Sequence, residues 1–67
     1  MEKFWMVWRV GGQGPTVQHT TLYDAEKEAE RLALNNPSVK FVILESLKYC
    51  EAKTPVTWHD VREQLPF

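Results

Sequence analysis

The sequence predicts a small α+β domain in which three antiparallel strands carry one helix on one face. Three observations support this fold class. An amphipathic helical pattern covers residues 21–36, and strand-like apolar runs cover residues 3–10 and 39–49. A chain of 67 residues with 43% hydrophobic content forms one domain with a thin core. The predicted architecture is ββαβ, that is, strand, strand, helix, strand.

The helix has a start signal, an apolar stripe and a stop signal. Thr21 can cap the first turn, and Asp24 three residues later completes a capping-box-like pair. At the other end, Asn35 or Asn36 can take the left-handed closing conformation, and Pro37 blocks continuation. The stripe has a period of about 3.6 residues and is rich in alanine, which favours close packing on a sheet. Its members are Leu22, Ala25, Ala29, Leu32 and Ala33.

The side chains on both faces of the first strand are mostly apolar, which is typical of a strand covered on both faces. Because Arg9 carries a charge, we expect the face that contains it to point away from the helix. This predicts that Phe4, Met6, Trp8 and Val10 face the helix. It predicts that Trp5, Val7 and Arg9 lie on the opposite face.

A turn rich in glycine, residues 11–15, precedes a short polar edge strand at residues 16–20. Glycine loops that cradle phosphate need a helix directly after the glycines, whereas here Pro15 and an extended segment follow. The hairpin turn is therefore the favoured interpretation of the glycines. The candidate ligand-binding residues of this region are Gly12, Gly14, Thr16 and His19.

The third strand, residues 39–49, is predicted to turn Phe41 and Ile43 towards the helix. Glu45 is either solvated where the strand leaves the core or paired with Arg9 or His19. A right-handed crossover through the helix gives the strand order 2-1-3. The predicted core is residues 1–50. Residues 51–67 form a C-terminal segment that docks on the sheet or on a partner subunit. It is predicted to contain a turn and a short extended piece at residues 54–58 and a short helical turn near 58–65.

The composition argues against several functional classes. A net charge of −1 with eight scattered basic residues makes nucleic-acid binding improbable, since that requires a basic patch. No apolar run is long enough to span a bilayer, so we expect no membrane insertion. The single Cys50 excludes an internal disulfide and fits a reducing cytosol.

Residue types that carry out catalysis occur, but no catalytic or metal-binding set is visible. The candidates are His19, Asp24, Glu45, Cys50, His59 and Asp60. Only the last two are adjacent in sequence, and adjacent residues on one element do not face each other. The sequence therefore predicts a protein that is not an enzyme and that carries neither a metal ion nor another cofactor.

Part of the sequence resembles a group of short proteins encoded in phages and prophages. The resembling residues are Pro15-Thr16-x-x-His19, Ala25, Glu28-Ala29-Glu30-Arg31-Leu32-Ala33, Asn36-Pro37, Phe41 and Leu44-Glu45. The match covers roughly residues 4 to 45, and the Pro-Thr-x-x-His turn is its most distinctive part. The group has no assigned activity, so the resemblance assigns no catalytic or binding residue. It implies a small accessory protein in the cytoplasm of an infected bacterium.

The sequence thus predicts a phage-type accessory protein that binds another protein, either of the bacterial host or of the phage. Two alternatives stay open: a binder of a small molecule or nucleotide at a subunit interface, and a single-stranded nucleic-acid binder that stacks bases on Trp5 and Trp8.

One helix covers one face of a sheet, so the second face needs another cover. We expect a homodimer, with the C-terminal segment folding back over the face as the alternative. The predicted interaction surface consists of Trp5, Val7, Val42, Leu44 and Trp58.

Overall fold

The computed structural model describes residues 1–52 and 56–62 and contains one helix and four strands there. The elements are β1 (Trp5–Arg9), α1 (Leu22–Asn35), β2 (Phe41–Glu45), β3 (Lys48–Glu51) and β4 (Thr57–Asp60). The α+β class is confirmed. The strands, however, form two antiparallel two-stranded sheets, β1–β2 and β3–β4, so the prediction of one three-stranded sheet of order 2-1-3 was wrong.

The predicted second strand is reduced to a single backbone pair. Trp5 N–H donates to the His19 carbonyl at 2.9 Å, and His19 N–H donates to the Trp5 carbonyl at 2.7 Å. The turn closes when Gly12 N–H donates to the Arg9 carbonyl at 2.8 Å, with Gly11 at φ +84°. A regular hairpin continued from that turn would place Thr16 opposite Trp5. His19 lies there instead, so three extra residues are looped out and cannot join a ladder.

The helix begins as predicted. Thr21 is the N-cap, and its hydroxyl accepts the Asp24 N–H at 3.1 Å. The end differs from the prediction, because neither asparagine is left-handed. Asn36 instead donates its side-chain amide to the Leu32 carbonyl at 2.8 Å, and Ser38 has the positive φ of 72°. A side-chain cap thus satisfies a carbonyl that the left-handed turn was expected to satisfy.

The register of β1 with β2 decides which residues lie under α1. Trp5 is opposite Glu45 and Val7 is opposite Ile43, so these side chains share one face. Trp5 is buried and Ile43 half-buried, whereas their neighbours on the other face, Val42 and Leu44, are exposed. Val7 also lines the same groove as Glu28 and Leu32 of α1. The helix therefore packs on the Trp5 and Val7 face of β1.

The predicted orientation of β1 was reversed, whereas that of β2 was right. Phe41 and Ile43 lie on the helix side as expected, but Met6 and Trp8 lie on the opposite side. Arg9 was a poor marker of the outer face. It is the last residue of β1 and is exposed, so its charge reaches solvent from the helix side.

The predicted third strand, residues 39–49, divides at Ser46. Its hydroxyl accepts the Phe4 N–H at 3.0 Å, and its own N–H donates to the Phe4 carbonyl at 3.0 Å. After Ser46, β3 pairs with β4 in a second sheet. This sheet contains residues from both the predicted core, 1–50, and the predicted C-terminal segment, 51–67. Within the described residues, Thr57–Asp60 is a strand, which corrects the helical turn predicted from residue 58. Residues 63–65 of that prediction lie outside the described residues.

The chain is flat and its core is thin. It extends 47 × 33 × 13 Å, and its radius of gyration of 14.5 Å exceeds the value of about 11 Å expected for a compact chain of this length. The buried apolar residues among those described are Trp5, Ala25 and Val61. No helix in the described ranges is long and apolar enough to cross a membrane.

The alanine at the helix–sheet contact yields a stability prediction. Ala25 is fully buried, whereas Ala33 of the same predicted stripe is exposed. Ala25→Leu should lower the free energy of unfolding by about 1–3 kcal/mol, because the larger side chain pushes α1 off the sheet. The control Ala33→Leu should stay within about 0.5 kcal/mol of the parent. Urea unfolding followed by circular dichroism measures both free energies. Equal losses of stability in the two variants would show that Ala25 is not in close contact with the sheet.

Candidate functional site

The outer side of the β1–β2 sheet is an apolar surface that no described element covers. We call it the open face; it consists of Met6, Trp8, Val42 and Leu44, paired across the strands as Met6–Leu44 and Trp8–Val42. Val42 and Leu44 are 40% and 41% exposed. Trp8 donates its indole N–H to the Gly12 carbonyl at 3.4 Å, so its polar atom already has an acceptor. The open face therefore offers apolar contact rather than hydrogen-bonding specificity.

The predicted interaction surface is only partly assembled by this face. Val42 and Leu44 belong to it, but Trp5 and Val7 lie beneath α1, and Trp58 lies on the β3–β4 hairpin. Sequence reasoning missed Met6 and Trp8. Both belong to the set of alternate apolar residues that the sequence analysis assigned to the helix side of the strand. The mistake was therefore in choosing which of the two sets faces the helix.

The β3–β4 hairpin carries the fifth predicted residue away from the sheet. Trp58 is 67% exposed and lies opposite Cys50, which is also exposed. On the other side of the hairpin, the rings of Tyr49 and His59 stack with centroids 4.8 Å apart. Within the described residues, neither strand of the hairpin contacts α1, β1 or β2. The hairpin is thus an arm that presents a tryptophan to its surroundings.

A groove of about 230 Å³ lies between α1, β1 and the looped-out segment. Its lining contains Gly14, Thr16 and His19, three of the four predicted ligand-binding residues. The remainder of the lining is Val7, Pro15, Val17, Glu28 and Leu32. Gly12 does not line the groove, because it is held in the turn by its hydrogen bond to Arg9. The volume is below the roughly 300 Å³ at which ordinary ligand pockets begin.

Val7 presents unpaired backbone groups to this groove. The backbone groups of Phe4 and Val10 bond towards β2, to Ser46 and Lys40, whereas those of Trp5 bond to His19 on the other edge. In a strand, the N–H and C=O groups of successive residues point to opposite edges. The groups of Val7, two residues after Trp5, therefore point to the same edge as those of Trp5, where His19 lies. No described residue pairs with them there. The looping-out of three residues thus leaves a short open edge in the middle of β1.

Charged groups border the groove without forming a catalytic set. Arg31 binds Glu28 through two hydrogen bonds of 2.7 and 3.0 Å. These bonds hold the pKa of the Glu28 carboxyl below its usual value and raise that of the Arg31 guanidinium. In residues 1–52 and 56–62, no three His, Cys, Asp or Glu side chains are grouped to hold a metal ion.

Glu45 is the last residue of β2 and its side chain is 47% exposed, which agrees with the solvated alternative. Its carboxylate also pairs with the ammonium of Lys3 at 3.0 Å, a partner that the sequence analysis did not predict. The Lys3 side chain is 7% exposed, so this contact partners a charge that would otherwise be costly to bury. Arg9 cannot serve as the partner, because the antiparallel register places it opposite Phe41, at the far end of the sheet.

Trp5 and Trp8 lie on opposite faces of the sheet, with Trp5 buried under α1. They cannot form one stacking platform, which removes the observation on which the single-stranded nucleic-acid alternative rested.

Comparisons with family models, curated proteins and solved structures find no significant match to this chain. The resemblance to phage and prophage proteins therefore stays a prediction.

Amide hydrogen exchange can test the open edge. The Val7 amide should exchange faster than those of Met6, Trp8 and Trp5, because of these four only the Val7 N–H has no acceptor within residues 1–52 and 56–62. Trp5 is the matched control, since it faces the same edge and donates to His19. If Val7 is protected as strongly as Trp5, residues 16–18 pair with β1 in solution and the edge is closed.

Proposed function

We propose that this chain is a small phage-type accessory protein that acts by binding another protein, of the bacterial host or of the phage. The open face is the observation that supports the proposal. It is a contiguous apolar surface on the β1–β2 sheet, and contiguous exposed apolar surfaces mark interaction sites. Each large side chain that a partner covers there contributes up to about 1.5–3 kcal/mol.

The character of the face favours a protein over a small ligand or a nucleic acid. Its members are all aliphatic or aromatic. The nearest cation by register is Lys40, which lies beside the sheet end. A nucleic-acid surface would need several cations along the contact. An apolar patch with a tryptophan instead has the composition of the centre of a protein–protein interface.

Capture from bacterial lysate tests this function. The tagged chain, used at low density on the support, should retain at least one protein identified by mass spectrometry. The Leu44→Glu variant should lose that protein, because a carboxylate at the centre of an apolar contact is desolvated without a partner. The control Leu34→Glu, at an 82% exposed position on α1, should retain it. Retention of no protein, or equal retention by both variants, would contradict the proposal.

A small-molecule binder is the second candidate, and the groove with the open Val7 edge favours it. Thr16, His19 and the Val7 backbone offer hydrogen bonds, while Val17 and Leu32 offer apolar contact. A ligand of this site is small and carries a donor and an acceptor spaced like a peptide unit. We expect a metabolite to co-purify with the chain and to be absent from Thr16→Trp, which fills the groove. If the wild type and Thr16→Trp carry the same small molecules, this candidate function is ruled out.

A further inference from the structure

The backbone of Val7 offers a hydrogen-bond donor and an acceptor side by side. On an antiparallel strand, the N–H and C=O of one residue point to the same edge, and one partner residue normally bonds with both. At Trp5 that partner is His19, with bonds of 2.9 and 2.7 Å. At Val7 the same edge borders the groove, and no described residue bonds there. A ligand that takes the place of the missing partner presents an acceptor and a donor on one side.

The open edge is closed at both ends. His19 pairs with Trp5 at one end, and Gly12 N–H donates to the Arg9 carbonyl at 2.8 Å at the other. The strand rises about 13 Å from Trp5 to Arg9, and a longer added strand would meet one of these two bonds. The opening therefore admits one compact group rather than a length of extended peptide. The groove volume of about 230 Å³ agrees with a compact ligand.

The charges of the groove favour a neutral ligand. Glu28 belongs to the lining, and both of its carboxylate oxygens accept from Arg31, at 2.7 and 3.0 Å. The described lining contains neither Lys nor Arg. A phosphate or carboxylate ligand would therefore come near the Glu28 carboxylate without a lining cation to balance it. A cationic ligand would compete with Arg31 for a carboxylate that is already bonded.

We propose that the groove binds an uncharged lactam, whose C=O accepts the Val7 N–H and whose N–H donates to the Val7 C=O. The inference rests on the second candidate function, the binding of a small molecule in this groove, and names the class of ligand. A small ring holds the amide cis, so its N–H and C=O point the same way. A trans peptide unit has the same two groups but points them in opposite directions, and it satisfies only one of the two Val7 groups.

The remaining lining suits a ring. Val17 is 62% exposed, and with Leu32 it supplies apolar surface in the groove. A ring whose amide bonds with Val7 covers part of that surface, which adds to the binding free energy. Thr16 and His19 offer hydrogen bonds to further polar atoms of the ligand. Lactam edges of this kind occur on pyrimidine and purine bases, so a base or nucleoside without a phosphate belongs to the proposed class.

Amide NMR on the purified chain tests the ligand class with three matched probes. γ-Butyrolactam should shift the Val7 amide resonance to a saturable limit and slow its hydrogen exchange, because the lactam carbonyl becomes its acceptor. N-methyl-γ-butyrolactam keeps the ring and the carbonyl but lacks the N–H, so it should bind about tenfold more weakly. Pyroglutamate adds a carboxylate to the same ring and should also bind more weakly, because that carboxylate comes near Glu28.

Two tryptophan substitutions locate the binding. Thr16→Trp fills the groove and should abolish the response of Val7 to γ-butyrolactam. Gln18→Trp is the matched control and should respond as the wild type does, because Gln18 is exposed in the same looped-out segment but does not line the groove. The amide spectrum of each variant shows whether it is folded. Should Thr16→Trp be unfolded, the comparison of the probes on the wild type decides the proposal.

Three results would overturn the proposal. They are the absence of a saturable shift at Val7 with γ-butyrolactam, equal binding of γ-butyrolactam and its N-methyl derivative, and pyroglutamate binding as tightly as γ-butyrolactam. A co-purified metabolite that is lost from Thr16→Trp but is not a lactam would remove this inference and leave the small-molecule function intact. Lysate capture through the open face tests the proposed protein binding separately, since Leu44 does not line the groove.

Discussion

The antiparallel register of β1 on β2 is the constraint on which the other features of this structure depend. It brings Trp5 and Val7 together with Ile43 under α1, and the close approach of the helix requires an alanine at position 25. A shift of the register by one residue would exchange the buried and exposed sets on one strand relative to the other. The locations of the open face and of the face under α1 both follow from this alignment.

The bonds at the start of β1 extend that constraint to the second sheet. Phe4 bonds with Ser46, and Lys3 bonds with Arg62 while its ammonium meets Glu45 at 3.0 Å. These contacts fix where β2 ends, where β3 begins and how the arm leaves the sheet. A chain with few buried apolar residues thus relies on directional bonds at one corner to position an element that has little packing of its own.

The looped-out residues after the glycine turn show how a local irregularity generates a candidate site. Because His19 rather than Thr16 lies opposite Trp5, the segment between them bows outwards. The outward bend opens the groove and leaves the Val7 N–H and C=O without a hydrogen-bond partner among the described residues. A regular hairpin would have closed both. The groove and the open face lie on opposite sides of the same strand, so binding at one leaves the other accessible.

The sequence by itself determined the elements whose signals are local. The Thr21 cap, the span of α1 and the two most apolar strands follow from hydrogen-bonding side chains and apolar periodicity within a few residues. Gly14, Thr16 and His19, which the sequence placed in a glycine turn and the short strand after it, line the groove. Tertiary structure alone decided the face of β1, the partner of Glu45 and the split of the third strand at Ser46. Those features depend on pairing between distant residues, and a strand that is apolar on both alternations contains no local signal that distinguishes its two faces.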